Sequence, residues 1–193
     1  MKNIYEYDIN KNEIINDSKL LPTDTESQNY DWLWANNNKY ENIEINSKKI
    51  GKWMLFPNDK EVNNIWNKIK KNIENGKLWH SKVSTNNKNK SNNYAIMIYT
   101  KDYTDINDVV NVLQILKDEA IIKQSQIIRY KTDEQTRMGI YSGGKQKPWI
   151  YSSDTIKNML LEKNWRVNKQ KINSTYLQNQ PSTSGYKPSS PKM

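Results

Sequence analysis

Apolar residues along this chain recur with two spacings, one close to two residues and one close to three and a half, and together they outline the fold. Gly51-Lys52-Trp53-Met54-Leu55-Phe56 is an apolar run closed by Pro57-Asn58-Asp59, which predicts a strand and a turn. Asp59 is the expected N-cap of a first helix. In that helix Val62, Ile65, Trp66, Ile69 and Ile73 return at helical spacing, with Lys and Asn on the other side. Gly76 supplies its stop. The stretch 77–85 predicts the next strand, with His80 and Lys82 in phase on one face. Tyr94-Ala95-Ile96-Met97-Ile98-Tyr99-Thr100 predicts a central strand. Asp105 is placed to cap a second helix whose buried stripe is Ile106, Val109, Val110, Leu113 and Leu116. Gln126-Ile127-Ile128 reads as a buried strand leading into Arg129-Tyr130-Lys131. Gly143-Gly144 predicts a turn, Trp149-Ile150-Tyr151 a further strand, and Ser153 the start of a third helix carrying Ile156, Met159 and Leu160. The order β, α, β, β, α, β, β, α implies an α+β fold, helices backing one face of a mostly antiparallel sheet.

The ends of the chain do not fit either spacing. Residues 1–27 are polar and rich in Asn and Asp, and they are expected to form a loosely docked or disordered, flexible arm. A single domain is expected over 28–173, and the Pro/Ser/Lys-rich stretch 174–193 reads as a disordered tail. Hydrophobic residues make up only 35% of the 193, yet 7 Trp and 12 Tyr offer enough area each to build a core. No run approaches the length of a membrane-spanning helix and the N-terminus lacks a signal-peptide pattern. A monomeric cytoplasmic protein without membrane contact is therefore expected.

Charge and the missing residue types narrow the chemistry. A formal net charge of +9 favours acidic partners such as nucleic acid or nucleotides. With no Cys, disulfides, thiol catalysis and Cys-based zinc sites are excluded, and one His excludes a His-cluster metal site. Neither a Walker A loop nor a GxGxxG turn is present, and no cofactor is implied. The densest candidate is the stretch from Arg129 to Gly144. On a strand, Arg129 and Lys131 point to one face and Tyr130 to the other. Arg137 follows in a short polar connection before a second apolar segment at Ile140 and Tyr141. Three cations around one sheet edge suit an anionic group such as a phosphate. Lys82 is expected to line the same edge, with His80 beside it. The pair Trp32 and Trp34 reads either as a stacking platform for a base or as packing.

Several short motifs occur in the order found in a known family. They are Gly51-Lys52-Trp53-Met54-Leu55-Phe56, Lys82-Val83-Ser84, Tyr99-Thr100-Lys101-Asp102-Tyr103-Thr104-Asp105, and Tyr130-Lys131 through Gly139-Ile140-Tyr141. On these residues the chain resembles the basophilic leukaemia-expressed protein family over about residues 30–152. The resemblance implies the fold of the cap-binding translation initiation factor 4E, a curved antiparallel sheet backed by helices. Cap binding in that fold uses a base held between two tryptophans, one followed directly by Glu. None of Trp32, Trp34, Trp53, Trp66, Trp79, Trp149 and Trp165 is followed by an acid here.

A more distant similarity is to bacterial phosphothreonine lyases, which carry two alternate basic residues on a strand and then a Ser/Thr-Arg-apolar-Gly motif. The similarity implies that Arg129 occupies the phosphate site, Lys131 removes the α-proton and Arg137, within Thr136-Arg137-Met138-Gly139, clamps the phosphate. The general-acid histidine of those enzymes has no counterpart in Tyr94-Ala95-Ile96, and only His80 is available to replace it. Three functions follow as expectations. The first is binding of a phosphorylated ligand (a nucleotide, an RNA end or a phosphopeptide) through Arg129, Lys131, Arg137 and Lys82. The second is a phosphate-eliminating lyase with Lys131 as base and His80 as acid. The third is a basic module contacting RNA without sequence preference.

Overall fold

The computed structural model describes residues 13–15, 19–37, 44–86, 93–156 and 158. Its centre is a seven-stranded sheet. The strands are β1 (Glu13–Ile15), β2 (Trp32–Asn36), β3 (Gly51–Leu55), β4 (His80–Ser84), β5 (Ile96–Thr100), β6 (Arg129–Thr132) and β7 (Tyr151–Ser152). Their spatial order is β1-β2-β4-β5-β3-β6-β7, antiparallel throughout except for the β1–β2 pair. Helices α1 (Asp59–Glu74) and α2 (Ile106–Asp118) join alternate strands, and a one-turn helix, α3 (Asp133–Arg137), follows β6 directly. The α+β class expected from the order of elements is the one observed. Among the described residues no helix is long and apolar enough to cross a membrane.

Alternation along the strands separates two faces. Trp53, Val83, Ile96, Ile98 and Tyr130 point to the face covered by α1 and α2, where they meet Trp66, Ile69, Leu113 and Leu116 in one core cluster. Each such side chain removed from water contributes about 1.5–3 kcal/mol before the entropy of ordering is charged against it. Trp53 anchors this layer by donating its indole N–H to the carbonyl of Val109 at 3.0 Å, so its burial leaves no polar atom stranded. Its ring meets Tyr130 edge-on with centroids 5.3 Å apart. Tyr130 lies over Gly51, and a Cβ on Gly51 would come within 2.5 Å of the hydroxyl end of the phenol. The phenol oxygen shares a hydrogen bond with the Thr100 hydroxyl. Glycine at position 51 is therefore a demand of close approach rather than of backbone angle.

The helix ends follow from local chemistry. Asn58, not the expected Asp59, caps α1: its side-chain oxygen accepts from the backbone N–H of Lys60 at 3.0 Å and of Glu61 at 3.1 Å. Asp59 becomes the first helical residue, where its charge complements the helix dipole. Asp105 caps α2 as expected, accepting from Asn107 and Asp108. Gly76, at φ +77°, ends the α1 segment in the left-handed region.

One further local expectation is corrected. Gln126-Ile127-Ile128 is not strand, because the N–H of Ile128 donates to the Ser153 hydroxyl at 3.0 Å instead of to a ladder carbonyl. Ile127 is 55% exposed rather than buried. In the second apolar segment, Tyr141 is exposed. Where it is described, the N-terminal arm is docked. Leu20 is buried in the core cluster, and Asn63 on α1 donates to the Thr23 hydroxyl at 2.6 Å. Of the helix expected from Ser153, Ile156 is buried, while Met159, Leu160 and the tail 174–193 lie outside the described residues.

Candidate anion-binding site

The register of the sheet writes two rows of side chains across the face opposite the helices. One row runs Trp34, Lys82, Met97, Met54, Arg129, Ser152, each residue the Cα partner of the next. The other runs Asn36, His80, Tyr99, Lys52, Lys131. Residues paired in this way point to the same side of a sheet. Both rows thus carry an apolar centre with cations toward the β6 edge, and the first carries a further cation, Lys82, toward β2. Arg129 and Lys131 share this face as expected, with Tyr130 turned into the core.

A concave cavity of about 780 Å³ lies over these rows. Among the described residues its lining includes Lys52, Lys82, Arg129, Lys131 and Arg137, five basic side chains, against Asp133 as the one carboxylate. The sheet, α3 and the loop carrying Tyr141, Ser142, Pro148 and Trp149 together enclose it. The short helix α3 exists because Thr132 and Gln135 form a capping box, each side chain accepting the other's backbone N–H. That turn is what returns Arg137 from the end of β6 to the same cavity.

The cations are held in distinct ways. Lys52 is buried and ion-paired with Asp133. Lys131, directly opposite it on β6, is also buried and donates from Nζ to the carbonyl of Ile140 at 2.6 Å, with the ring of Tyr141 4.1 Å away. Burial, and next the charge of Lys52, pull the pKa of Lys131 below that of an ordinary lysine, against a smaller opposing pull from Asp133. Arg129 donates to the Ser152 hydroxyl, reaches Asp154 at 3.5 Å and lies over the ring of Trp149 at 4.3 Å. Lys147 covers the same ring at 3.4 Å. Arg137 pairs with Glu134 at 2.5 Å and stays about half exposed at the mouth. Lys82 sits 4.5 Å from the ring of Trp32 and 4.6 Å from that of Trp34. Trp34 in turn stacks on Tyr99 with centroids 5.7 Å apart, while Trp32 lines the cavity.

Four of the five residues singled out from the sequence therefore meet around one space: Lys82, Arg129, Lys131 and Arg137. His80 shares the sheet face but is not among the cavity-lining residues; it is buried against Trp79, with ring centroids 4.2 Å apart. Burial, followed by the nearby charge of Lys101, lowers its pKa to about 3, so it is a neutral imidazole at neutral pH. Lys52, Tyr99, Tyr141 and Trp149 were not singled out as site residues. Lys52 alternates with Trp53 inside an apolar run, and a charge at that phase is the signal that marks the cavity face.

These features define a class: an α+β domain whose curved sheet turns a cationic, aromatic-lined face to solvent. The family model of the basophilic leukemia-expressed protein Bles03 matches residues 44–139, the stretch from β3 through α3, and over it the chain is similar to that family. Among solved structures, the C. elegans eIF4E-3 in complex with the 4E-binding protein Mextli and cap analog is similar at 17% identity, with a TM-score of 0.42, over 53% of this chain and 56% of that one. A schistosome eIF4E complexed with m7GpppG and 4E-BP is similar at 9% identity and a TM-score of 0.44, over 55% and 61%. The Ascaris suum eIF4E-3 with m2,2,7G cap is similar at 19% identity and a TM-score of 0.40, over 54% and 59%. Each match spans less than two thirds of the solved chain.

Proposed function

We propose that this domain binds a phosphorylated ligand in the cavity on the exposed face of its sheet. The observation that carries the reading is the charge balance of the lining, five cationic side chains to one carboxylate, two of the cations being buried lysines in direct register. Like charges placed opposite each other on neighbouring strands destabilise a sheet, and an anion between them relieves that repulsion. Arg129 and Arg137 supply planar donors suited to phosphate oxygens. The rings of Trp32, Tyr99, Tyr141 and Trp149 around the same space favour a ligand that also carries a flat ring, which makes a nucleotide or a nucleotide end the first choice over a phosphopeptide.

The lyase reading has less support. Elimination needs a proton, or positive charge, delivered to the leaving phosphate. A neutral His80 outside the cavity lining is a poor source of that proton. The reading as an unspecific RNA module has less support too, since the cations gather in a cavity rather than along an open stripe.

The test is isothermal titration of the wild type and of Arg129→Ala, Lys131→Met and Arg137→Ala with nucleoside mono-, di- and triphosphates, cap analogue, pyrophosphate and a phosphothreonine peptide. A nucleotide is expected to bind the wild type and to lose about tenfold or more in affinity with each variant, the loss of one charge-assisted contact. If no phosphorylated compound binds the wild type better than Arg137→Ala, the proposal fails. If binding is indifferent to the ring and falls steeply and equally with salt for any polyanion, the unspecific module takes its place.

A further inference from the structure

Lys52 and Lys131 differ in a way that bears on chemistry. They are Cα partners on adjacent strands, both buried, both lining the cavity. Among the described residues only one carboxylate lines that space, and it is bonded to Lys52. Lys131 instead donates one N–H to the Ile140 carbonyl and lies near the Tyr141 ring. A neutral amine can keep both contacts, each weaker than with an ammonium, and neither contact supplies the counter-charge that Asp133 gives Lys52. Of two amines forced together, the one with the ion-paired carboxylate keeps its proton and the other sheds it more easily. The direction of the Lys131 pKa agrees with that assignment. With one hydrogen fixed on Ile140, the nitrogen lone pair of a neutral Lys131 is left to turn into the cavity.

From this geometry we infer that Lys131 is a nucleophilic amine that forms an imine with the carbonyl of a phosphorylated aldehyde or ketone held in the cavity. The inference rests on the phosphate site proposed above and adds to it a covalent step. The nitrogen lone pair adds to the carbonyl carbon, the π electrons move onto oxygen, and that oxygen takes a proton from the Lys52 ammonium across the strand. The added nitrogen returns a proton to Lys52. Lys52 then gives its proton to the carbinolamine hydroxyl, water leaves as the nitrogen lone pair forms the C=N bond, and the protonated imine returns that proton to Lys52, with no oxidant or reductant consumed. Asp133 keeps Lys52 charged between these transfers, and burial disfavours the ammonium form of Lys131. The ligand class is a carbonyl compound with a phosphate a few bonds away, such as the open-chain form of a sugar phosphate.

Pyridoxal 5′-phosphate, which carries an aldehyde, a flat ring and a phosphate, is the probe. The full chain is exposed to it briefly at neutral pH, reduced with borohydride, which adds hydride to the imine carbon, and mapped by peptide mass spectrometry. Lys131 is expected to be labelled about tenfold or more faster than the typical surface lysine, the gain that a tenfold larger free-amine fraction gives. Lys131→Arg, which keeps the charge, should abolish the fast phase. Lys52→Met should slow labelling at Lys131, because Asp133 is then released to pair with it. Labelling spread evenly over the lysines, or first at Lys52, overturns the inference, and it does so even where titration still records phosphate binding. Equal speed with pyridoxal, which lacks the phosphate, overturns the phosphate half of the inference and counts against the binding site itself.

Discussion

Replacing Asp133 with Asn should make the folded protein less stable and its anion affinity higher, two effects of opposite sign from one atom pair. Asp133 faces Lys52, whose side chain is only 7% exposed, while its own is 26% exposed. Removing one partner of a buried ion pair costs about 3–5 kcal/mol, and partial exposure of the carboxylate brings the expectation down to about 1–3 kcal/mol. At about 2–4 °C per kcal/mol for a chain of this size, that is a fall in Tm of roughly 2–12 °C. A phosphate seated by Lys52 and Lys131 feels the Asp133 charge at about 6–8 Å, which at an effective dielectric near 20 is about 2–3 kcal/mol of repulsion per charge. Solvent in the cavity mouth and salt at 0.1 M reduce this to about 1–1.5 kcal/mol, close to tenfold in affinity. The assay pairs a thermal melt of the free protein with titration of pyrophosphate at two salt concentrations, the gain being larger at the lower one. Asparagine is nearly isosteric and can still accept from the Lys52 ammonium, so α3 should keep its place. Unchanged or weaker pyrophosphate binding in Asp133→Asn would refute the reasoning, because no anion could then be sitting beside Lys52.

Two further outcomes test the frame around the site. Gly51→Ala should destabilise the fold by about 2–4 kcal/mol in urea unfolding, since a Cβ there displaces the Tyr130 phenol from its bond to Thr100 and from the core; a loss below about 1 kcal/mol would mean that the ring moves freely. His80, with a folded pKa of about 3 against an ordinary 6.5, should make the protein lose stability as pH falls. The unfolded chain takes up a proton that the folded chain refuses, so the contribution is whole above pH 6.5 and is lost between pH 6.5 and 3. From pH 7 to 5 it amounts to about 2 kcal/mol, read as the difference in slope between the wild type and His80→Gln, and equal slopes would contradict the burial of a neutral imidazole.

Much of this architecture is legible in the local pattern, and the exceptions have a common cause. The period of two places Arg129 and Lys131 on one face and Tyr130 on the other, and the helical stripes of Val62 to Ile73 and Ile106 to Leu116 identify the face that α1 and α2 cover. Ile127 was read as buried because it is apolar, yet apolar residues stay on the surface often enough that composition alone cannot decide; here it lines the cavity. Asp59 was read as a cap because Asp and Asn are near equals at that position, and the choice between neighbours depends on which one has extended backbone angles, as Asn58 does. The larger miss is Lys52. Inside a run of apolar residues it looked like an interruption, and only the pairing of β3 with β6 sets it opposite Lys131.

That pairing is non-local, and it changes what each lysine means. Taken singly, either is a cation on a sheet in a chain that has many. Taken together, they are two buried amines with one carboxylate bonded to Lys52, and protonating both weakens the free protein. Sequence drift toward stability has an easy remedy at such a place: an apolar residue at either position preserves the strand and removes the repulsion. The pair is placed where the same face also holds Arg129 and Lys82, and where α3 turns Arg137 back toward it. A cluster that is unfavourable when empty and favourable when an anion occupies it is what a binding site requires, because the relief of repulsion is gained only in the complex. The local pattern reveals Lys82, Arg129, Lys131 and Arg137 as candidates one element at a time; what gathers them with Lys52 into one candidate site is the register between strands.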